Sequence, residues 1–229
     1  MTICIGVVDE RDAVIASDGR LSLKNEGAYA EDWPKSIRLN SALAVAFSSR
    51  SLASVRSILV ELVPDFNWPT DGETLLSAWE KSKRYVTFGY VNAKGRITKA
   101  MGGIKADPDY THVDAAVSVL LAGHIPRGPR LACWDSEREE DEPTETHCGR
   151  KIIGSPPTRR EDFERLVGII DAREMSKGAQ KRLVDAISFC GTLEIQDVNG
   201  VAFTRRLSDE FQLRDAGGEI VTAPSASPY

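Results

Sequence analysis

The order of elements that the sequence predicts favours an α+β fold, with strands grouped apart from helices. Two apolar hairpins come first and a helical segment follows them; later strands, a pair of helices and a last pair of strands complete the chain. A parallel sheet built from βαβ units would alternate strand and helix, and this order does not. Two sheets packed between helical layers fit the order better.

Each hairpin in the first fifty residues joins two apolar runs across a polar turn. The predicted strands are Ile3–Val8 with Ala13–Ser17, and Lys35–Leu39 with Leu43–Phe47. Short apolar runs bounded by polar turns are typical of β-strands. Their apolar content suits sheets that are covered on one face.

Helices are predicted where apolar residues recur every three or four positions. Residues 51–63 show this spacing at Leu52, Val55, Ile58, Leu59 and Leu62. Pro64 then ends the segment. Similar patterns predict a helix around residues 75–79 and a pair of helices over residues 162–170 and 177–187.

Two further hairpins are predicted from turn-forming residues. Asn92–Gly95 separates a strand over Tyr85–Tyr90 from one over Arg96–Met101. Asn199-Gly200 separates a strand over residues 193–198 from one over residues 201–203. An Asn-Gly pair favours the tight turns that join antiparallel strands.

The composition is that of an ordinary globular protein. The 229 residues are 41% apolar and 28% charged, which suits one domain with a substantial core, over residues 1–221. Residues 222–229 are rich in Ala, Ser and Pro and predict a frayed tail. The net charge of -5 argues against nucleic acid as the main partner. No apolar run reaches the roughly 18 residues of a membrane span.

The cysteines and histidines bear on the compartment and on metal binding. The cysteines, without a Cys-x-x-Cys pair among them, are Cys4, Cys133, Cys148 and Cys190. They predict free thiols in a reducing compartment, and with no signal-like segment we expect a cytoplasmic protein. The histidines, which lack the spacing of metal ligands, are His112, His124 and His147. We therefore expect neither a metal nor another cofactor.

Three polar residues in the first two hairpins suggest a catalytic site. Thr2 becomes the first residue once Met1 is removed, Asp18 follows the second strand, and Lys35 opens the third. A threonine hydroxyl is a weak nucleophile that needs a base, and the threonine's own α-amine can be that base. A small residue at position two normally permits removal of Met1, so we expect Thr2 to carry a free amine.

Lys35 and Asp18 each have a separate physical task in this hypothesis. An α-amine has an ordinary pKa of about 7.7–8.0, and a neighbouring Lys35 ammonium disfavours its protonation. The amine is then able to accept a proton, while Asp18 supplies the counter-charge that Lys35 needs. Taken singly, Asp18 is more simply a turn residue and Lys35 a surface lysine, so the hypothesis depends on all three residues together.

These motifs resemble those of the proteasome β-subunit and HslV family of N-terminal nucleophile hydrolases. The first matches, in order and nearly in spacing, are Thr2, Asp18-Gly19-Arg20 and Lys35-Ser36-Ile37. The resemblance continues through the strands Val117–His124, Pro129–Asp135 and Lys151–Gly154, the last of which is followed by Ser155. It implies a four-layer αββα sandwich, with Thr2 as nucleophile, Lys35 as the cation that tunes its amine, and Asp18 as the counter-charge.

Three further roles follow from the same resemblance, two of them at altered positions. Arg20 would be the family's structural arginine, Ser155 would lie near the nucleophile, and the Ser49 N–H would form the oxyanion hole. Ser49 stands where the family has a glycine. A glycine can adopt a positive φ without strain and lets the substrate backbone approach closely, and a serine offers neither advantage. Ser155 precedes two prolines where the family has small residues. The family's second acidic residue aligns near Ile187, with Asp185 close in sequence.

The resemblance implies a threonine peptidase that cuts peptide bonds in peptide or unfolded protein substrates. It also implies a homo-oligomeric ring and, as for HslV, a ring ATPase partner, which nothing in the sequence identifies. Two alternatives stay open. One is a catalytically inactive ring subunit, favoured by Ser49 and by the missing late acidic residue. The other is an N-terminal nucleophile amidase that acts on a small-molecule amide.

Overall fold

The computed structural model describes residues 2–10, 12–22, 29–30, 35–67, 78–79, 86–108, 116–139, 142–172, 178–193, 198, 202–208, 213–214 and 220–221. In chain order the strands are β1 Ile3–Val8, β2 Asp12–Asp18, β3 Leu21–Ser22, β4 Tyr29–Ala30, β5 Ser36–Asn40, β6 Leu43–Ser49, β7 Val117–Ile125, β8 Gly128–Asp135, β9 Thr144–Thr146, β10 Gly149–Gly154, β11 Ala202–Ser208, β12 Leu213–Arg214 and β13 Ile220–Val221. The helices are α1 Leu52–Leu62, α2 Tyr90–Ala106, α3 Arg160–Asp171 and α4 Ala179–Thr192.

Two larger antiparallel sheets, two short pairings (β3 with β4 and β12 with β13) and these four helices make an α+β fold, as the element order predicts. The first sheet has the strand order β10-β1-β2-β11, and the second has the order β5-β6-β7-β8-β9. Both predicted hairpins of the first fifty residues are present, one in each sheet. The predicted helices after residue 50 and after residue 160 are confirmed as α1, α3 and α4.

Three apolar clusters hold the elements together. One lies between the second sheet and helices α1 and α2, and another between the first sheet and helices α3 and α4. The third joins residues of the two sheets. In β1, Ile3 and Ile5 belong to the helix-side cluster, while Cys4 and Val8 belong to the cluster between the sheets. Both faces are therefore covered, not one as we expected, and this explains the continuous apolar runs.

The hairpin predicted over residues 85–101 is wrong, because helix α2 occupies most of this region. Its buried residues recur every three or four positions, at Tyr90, Ala93, Ile97, Ala100, Met101 and Ile104. Gly95, which suggested a turn, lies on the exposed face with no heavy atom within 4 Å of where a Cβ would be. A glycine there costs a helix only about 1 kcal/mol relative to alanine, so the apolar periodicity prevails.

Several predicted features fall wholly or partly outside the described residues. Of the helix predicted over residues 75–79, only Ala78 and Trp79 are described, and both are helical. Leu193 forms the turn that ends α4 and does not begin the predicted strand. The Asn199-Gly200 turn and the tail over residues 222–229 lie outside the described residues.

No helix among those described is long and apolar enough to cross a membrane.

Candidate active site

Asp18 lies fully buried at the end of β2 and accepts three kinds of donor. Its Oδ1 accepts the Ile3 N–H at 3.0 Å, and its Oδ2 accepts the Arg20 N–H at 3.1 Å. The Lys35 ammonium lies 3.4 Å from both carboxylate oxygens. One carboxylate thus joins the residue after Thr2, the turn after β2 and the cation before β5.

Burial raises the pKa of Asp18, because the charged form loses its hydration. Lys35 opposes this effect most strongly, and the backbone N–H groups of Arg20 and Ile3 oppose it as well. A buried charge costs several kcal/mol unless it is paired and hydrogen-bonded. Lys35 and the two N–H groups are therefore what allow a charged carboxylate to exist here.

Lys35 is held at its backbone as well as at its ammonium. Its N–H donates to Ser17 Oγ at 3.3 Å, and its carbonyl accepts the Phe47 N–H at 3.0 Å. The ammonium also donates to the carbonyl of Arg20. The bond to Phe47 continues the pairing of β5 with β6 in the second sheet, while Ser17 belongs to the first sheet, so the Lys35 backbone links the two sheets.

Thr2 is 2% exposed and its carbonyl oxygen accepts two hydrogen bonds. The Ser155 N–H donates to this oxygen at 2.9 Å, and Ser48 Oγ donates to it at 3.2 Å. The Ile3 N–H, which donates to Asp18, belongs to the same peptide group. The Thr2–Ile3 peptide is therefore held at both its oxygen and its nitrogen.

Gly154 is required by the way β10 ends beside Thr2. Its φ is +93°, a backbone conformation that side chains with a Cβ rarely adopt. A Cβ at this position would lie 1.7 Å from the Thr2 carbonyl oxygen and 2.6 Å from Ser48 Oγ. The next residue, Ser155, has a buried hydroxyl oxygen without a hydrogen-bond partner among the described residues.

Ser49 ends β6 with its N–H directed to the side on which Lys35 lies. The Arg50 N–H donates to Ala116, beside β7, whereas the Phe47 N–H donates to Lys35, beside β5. Successive N–H groups of a strand point alternately to its two neighbouring strands, so the Ser49 N–H points to the same side as the Phe47 N–H. The Ser49 hydroxyl is occupied elsewhere, since it donates to the Ser51 carbonyl at 2.7 Å and accepts the Ser51 N–H at 3.0 Å.

Comparison with known proteins gives a likeness to a solved structure. No family model and no curated protein matches the chain. Among solved structures, eukaryotic HslV from Trypanosoma brucei is similar, with a TM-score of 0.60 and 15% sequence identity. The match covers 90% of this chain and 99% of that one. The chain has an HslV-like fold.

The HslV-like fold brings most of the predicted site residues to one place. Asp18 contacts Lys35 and the backbone of Arg20, and it reaches Thr2 through the Ile3 N–H. Ser155 reaches Thr2 directly through its own N–H. Ser49 lies one residue beyond Ser48, whose hydroxyl contacts Thr2.

The region around Ile187, where the resemblance would place the family's second acidic residue, lies on helix α4. Ile187 is fully buried in the apolar cluster beneath α4. Asp185 pairs with Lys181 one turn away on the same helix. Helix α4 packs on the face of the first sheet that carries Ile3 and Ile5, and the hydrogen bond found for Asp185 there goes to Lys181.

Sequence reasoning did not find two residues that contact the site in the HslV-like fold. They are Ser17, which accepts the Lys35 N–H, and Ser48, which donates to the Thr2 carbonyl. Their signal was a small polar side chain inside an apolar strand. The Cys4 Sγ donates to the carbonyl of Phe47 at 3.3 Å, and the Phe47 N–H in turn donates to Lys35. Among the described residues, no three His, Cys, Asp or Glu side chains lie close enough together to hold a metal ion.

Proposed function

We propose that this chain is a threonine peptidase that cleaves peptide bonds with Thr2 as its N-terminal nucleophile, once Met1 is removed. The observation that carries the proposal is the buried Asp18 carboxylate, which pairs with Lys35 and holds the Ile3 N–H beside Thr2. The HslV-like fold supports it as well. The proposal includes a four-layer αββα arrangement in one domain over residues 1–221.

In the proposed reaction the neutral Thr2 amine takes the proton from Thr2 Oγ as this oxygen attacks the substrate carbonyl. The Lys35 ammonium disfavours a second positive charge and so keeps the amine neutral before attack. The Ser49 N–H donates to the oxyanion that develops on the substrate. The protonated amine then gives its proton to the leaving nitrogen, and an acyl-enzyme ester remains on Oγ.

The second half of the reaction uses the same base. A water molecule gives a proton to the Thr2 amine and attacks the ester carbonyl. The intermediate collapses, Oγ recovers the proton and the carboxylic acid product leaves. Arg20 holds Asp18 through its N–H and Lys35 through its carbonyl, and Ser155 positions the Thr2 carbonyl.

The substrate class and the assembly belong to the proposal too. We infer a peptide or unfolded protein substrate, a homo-oligomeric ring and a cytoplasmic location. A ring ATPase would be the corresponding partner for unfolding substrates. Sedimentation at micromolar concentration tests the ring, and a plain monomer would contradict it.

The deciding experiment is intact mass spectrometry after incubation with a peptide epoxyketone, which reacts with a threonine hydroxyl and its free amine together. We expect loss of Met1 and one covalent adduct, and no adduct with Thr2→Ala. Thr2→Ser is the matched variant that retains both reactive groups and should still react. Loss of Met1 without an adduct in the unmodified sequence would indicate an inactive HslV-like scaffold and overturn the proposed activity.

A further inference from the structure

We propose that Ser48 is a positioning residue for the nucleophile: its hydroxyl, reaching across from the second sheet, fixes the carbonyl of Thr2. The catalytic part of this inference rests on the proposed function. Ser48 touches no reacting atom, and it acts only through the Thr2–Ile3 peptide group.

The geometry of β6 aims Ser48 at the first sheet. Alternate residues of a strand point to the same face, and Ala44 and Ala46 belong to the cluster between the sheets. Ser48 continues this row and is 5% exposed. It is polar where its predecessors are apolar, and its hydroxyl lies 3.2 Å from the carbonyl oxygen of Thr2.

The contact matters because the nucleophile and the proposed oxyanion donor belong to different sheets. Thr2 precedes β1 in the first sheet, whereas Ser49 ends β6 in the second. Ser48 is covalently bonded to Ser49, so its hydrogen bond to Thr2 limits how far the two groups can separate. Misplacement of reacting groups by even about 1 Å reduces catalysis strongly.

A newly formed N-terminus needs such anchors. After removal of Met1, Thr2 would be tied to the chain on one side only, and unanchored chain ends fray. The Ser155 N–H and Ser48 Oγ use both acceptor positions of the Thr2 carbonyl. Gly154 leaves the space in which both donors reach this oxygen.

The test compares Ser48→Ala with Ser48→Thr, which retains a hydroxyl. The control is Thr98→Val on helix α2, which likewise removes one hydrogen bond, because Thr98 Oγ1 accepts the indole N–H of Trp134 in β8. Two quantities are measured for each variant: the rate of epoxyketone adduct formation across pH, and hydrogen exchange of the Ile3 amide by NMR. Thermal unfolding shows that each variant is folded.

For Ser48→Ala we expect adduct formation to slow about two- to tenfold, the range of one neutral hydrogen bond. The pH at half-maximal rate should not move, because Ser48 bonds a carbonyl and not a titratable group. Exchange of the Ile3 amide should accelerate by a similar factor. Ser48→Thr should restore both quantities, and Thr98→Val should change neither.

Rates and exchange in Ser48→Ala that match Thr98→Val would overturn the inference. The two proposals fail in different ways. If the unmodified sequence forms no adduct, the proposed function fails, and Ile3 exchange alone then decides whether Ser48 anchors the peptide. Faster exchange in Ser48→Ala would support the anchor, and unchanged exchange would reject it.

Discussion

The Lys35 ammonium lies 3.4 Å from Asp18 Oδ1, and the two side chains are 11% and 0% exposed. The pair connects the two sheets, because Asp18 ends β2 and Lys35 immediately precedes β5. Such a pair adds little net stability compared with an apolar substitute, yet removal of one partner leaves a buried charge uncompensated. A contribution to stability is therefore a poor explanation for the presence of this pair. Its position beside the Thr2–Ile3 peptide is a better explanation.

Lys35→Met should impair both the proposed chemistry and the fold. The free energy of unfolding should fall by about 3–5 kcal/mol, since Asp18 loses its buried partner. Without the ammonium, the Thr2 amine should hold its proton more tightly, so the acid limb of adduct formation should move to higher pH. Denaturant unfolding and the pH dependence of epoxyketone labelling measure the two effects.

Lys35→Arg is the matched control, because it keeps the charge and changes the geometry. Its acid limb should stay near that of the unmodified sequence even if the rate falls. An acid limb that is the same in Lys35→Met as in the unmodified sequence would contradict the role of Lys35 in tuning the amine.

The raised pKa of Asp18 predicts how stability depends on pH. The native state binds the Asp18 proton more tightly than the unfolded chain, in which the pKa is about 3.9. The contribution of Asp18 to the free energy of unfolding should therefore fall as pH rises from about 3.9 through the native pKa, and level off above it. Subtracting the profile of Asp18→Asn isolates this contribution.

Lys35 is the strongest opposing influence on the Asp18 pKa, so its removal should raise that pKa further. In the Lys35→Met background the decline in stability should extend to higher pH. Chemical denaturation with and without Asp18→Asn in that background measures this. A contribution from Asp18 that increases with pH would show that its native pKa lies below the ordinary value.

Gly154→Ala should displace Thr2. The new Cβ would have to occupy space 1.7 Å from the Thr2 carbonyl oxygen, in addition to adopting a φ of +93°. Gly149→Ala is a matched control in the same strand, with a φ of +113° and no heavy atom within 4 Å of the new Cβ. It isolates the backbone strain, about 1–3 kcal/mol.

We expect Gly154→Ala to destabilise the fold more than Gly149→Ala and to abolish epoxyketone labelling. Gly149→Ala should label at the rate of the unmodified sequence. Thermal unfolding and intact mass measure both properties. Equal labelling by the two variants would show that the position of Thr2 does not depend on close approach at Gly154.

The sequence by itself determined the elements whose signals are local. The apolar runs of β1, β2, β5 and β6 and the periodicity of α1, α3 and α4 follow from residues near each other in the chain. The candidate residues Thr2, Asp18 and Lys35 stand at the ends of these strands, and the sequence singled them out by their chemistry and by the family resemblance. Helix α2 shows the limit of local signals. Gly95 was interpreted as part of a turn, although the apolar residues around it have helical spacing.

Only the tertiary structure decided how the sheets meet at Thr2. The hydrogen bond from Ser48 to Thr2 joins residues 46 positions apart. The sequence shows a polar residue at the end of an apolar strand, but it does not show which residue that side chain contacts. The pairing of Asp185 with Lys181 on α4 likewise became visible only in the structure, because it depends on which face of the first sheet α4 covers. Contacts between sheets depend on the registers and packing of several strands at once, and a linear pattern does not contain that information.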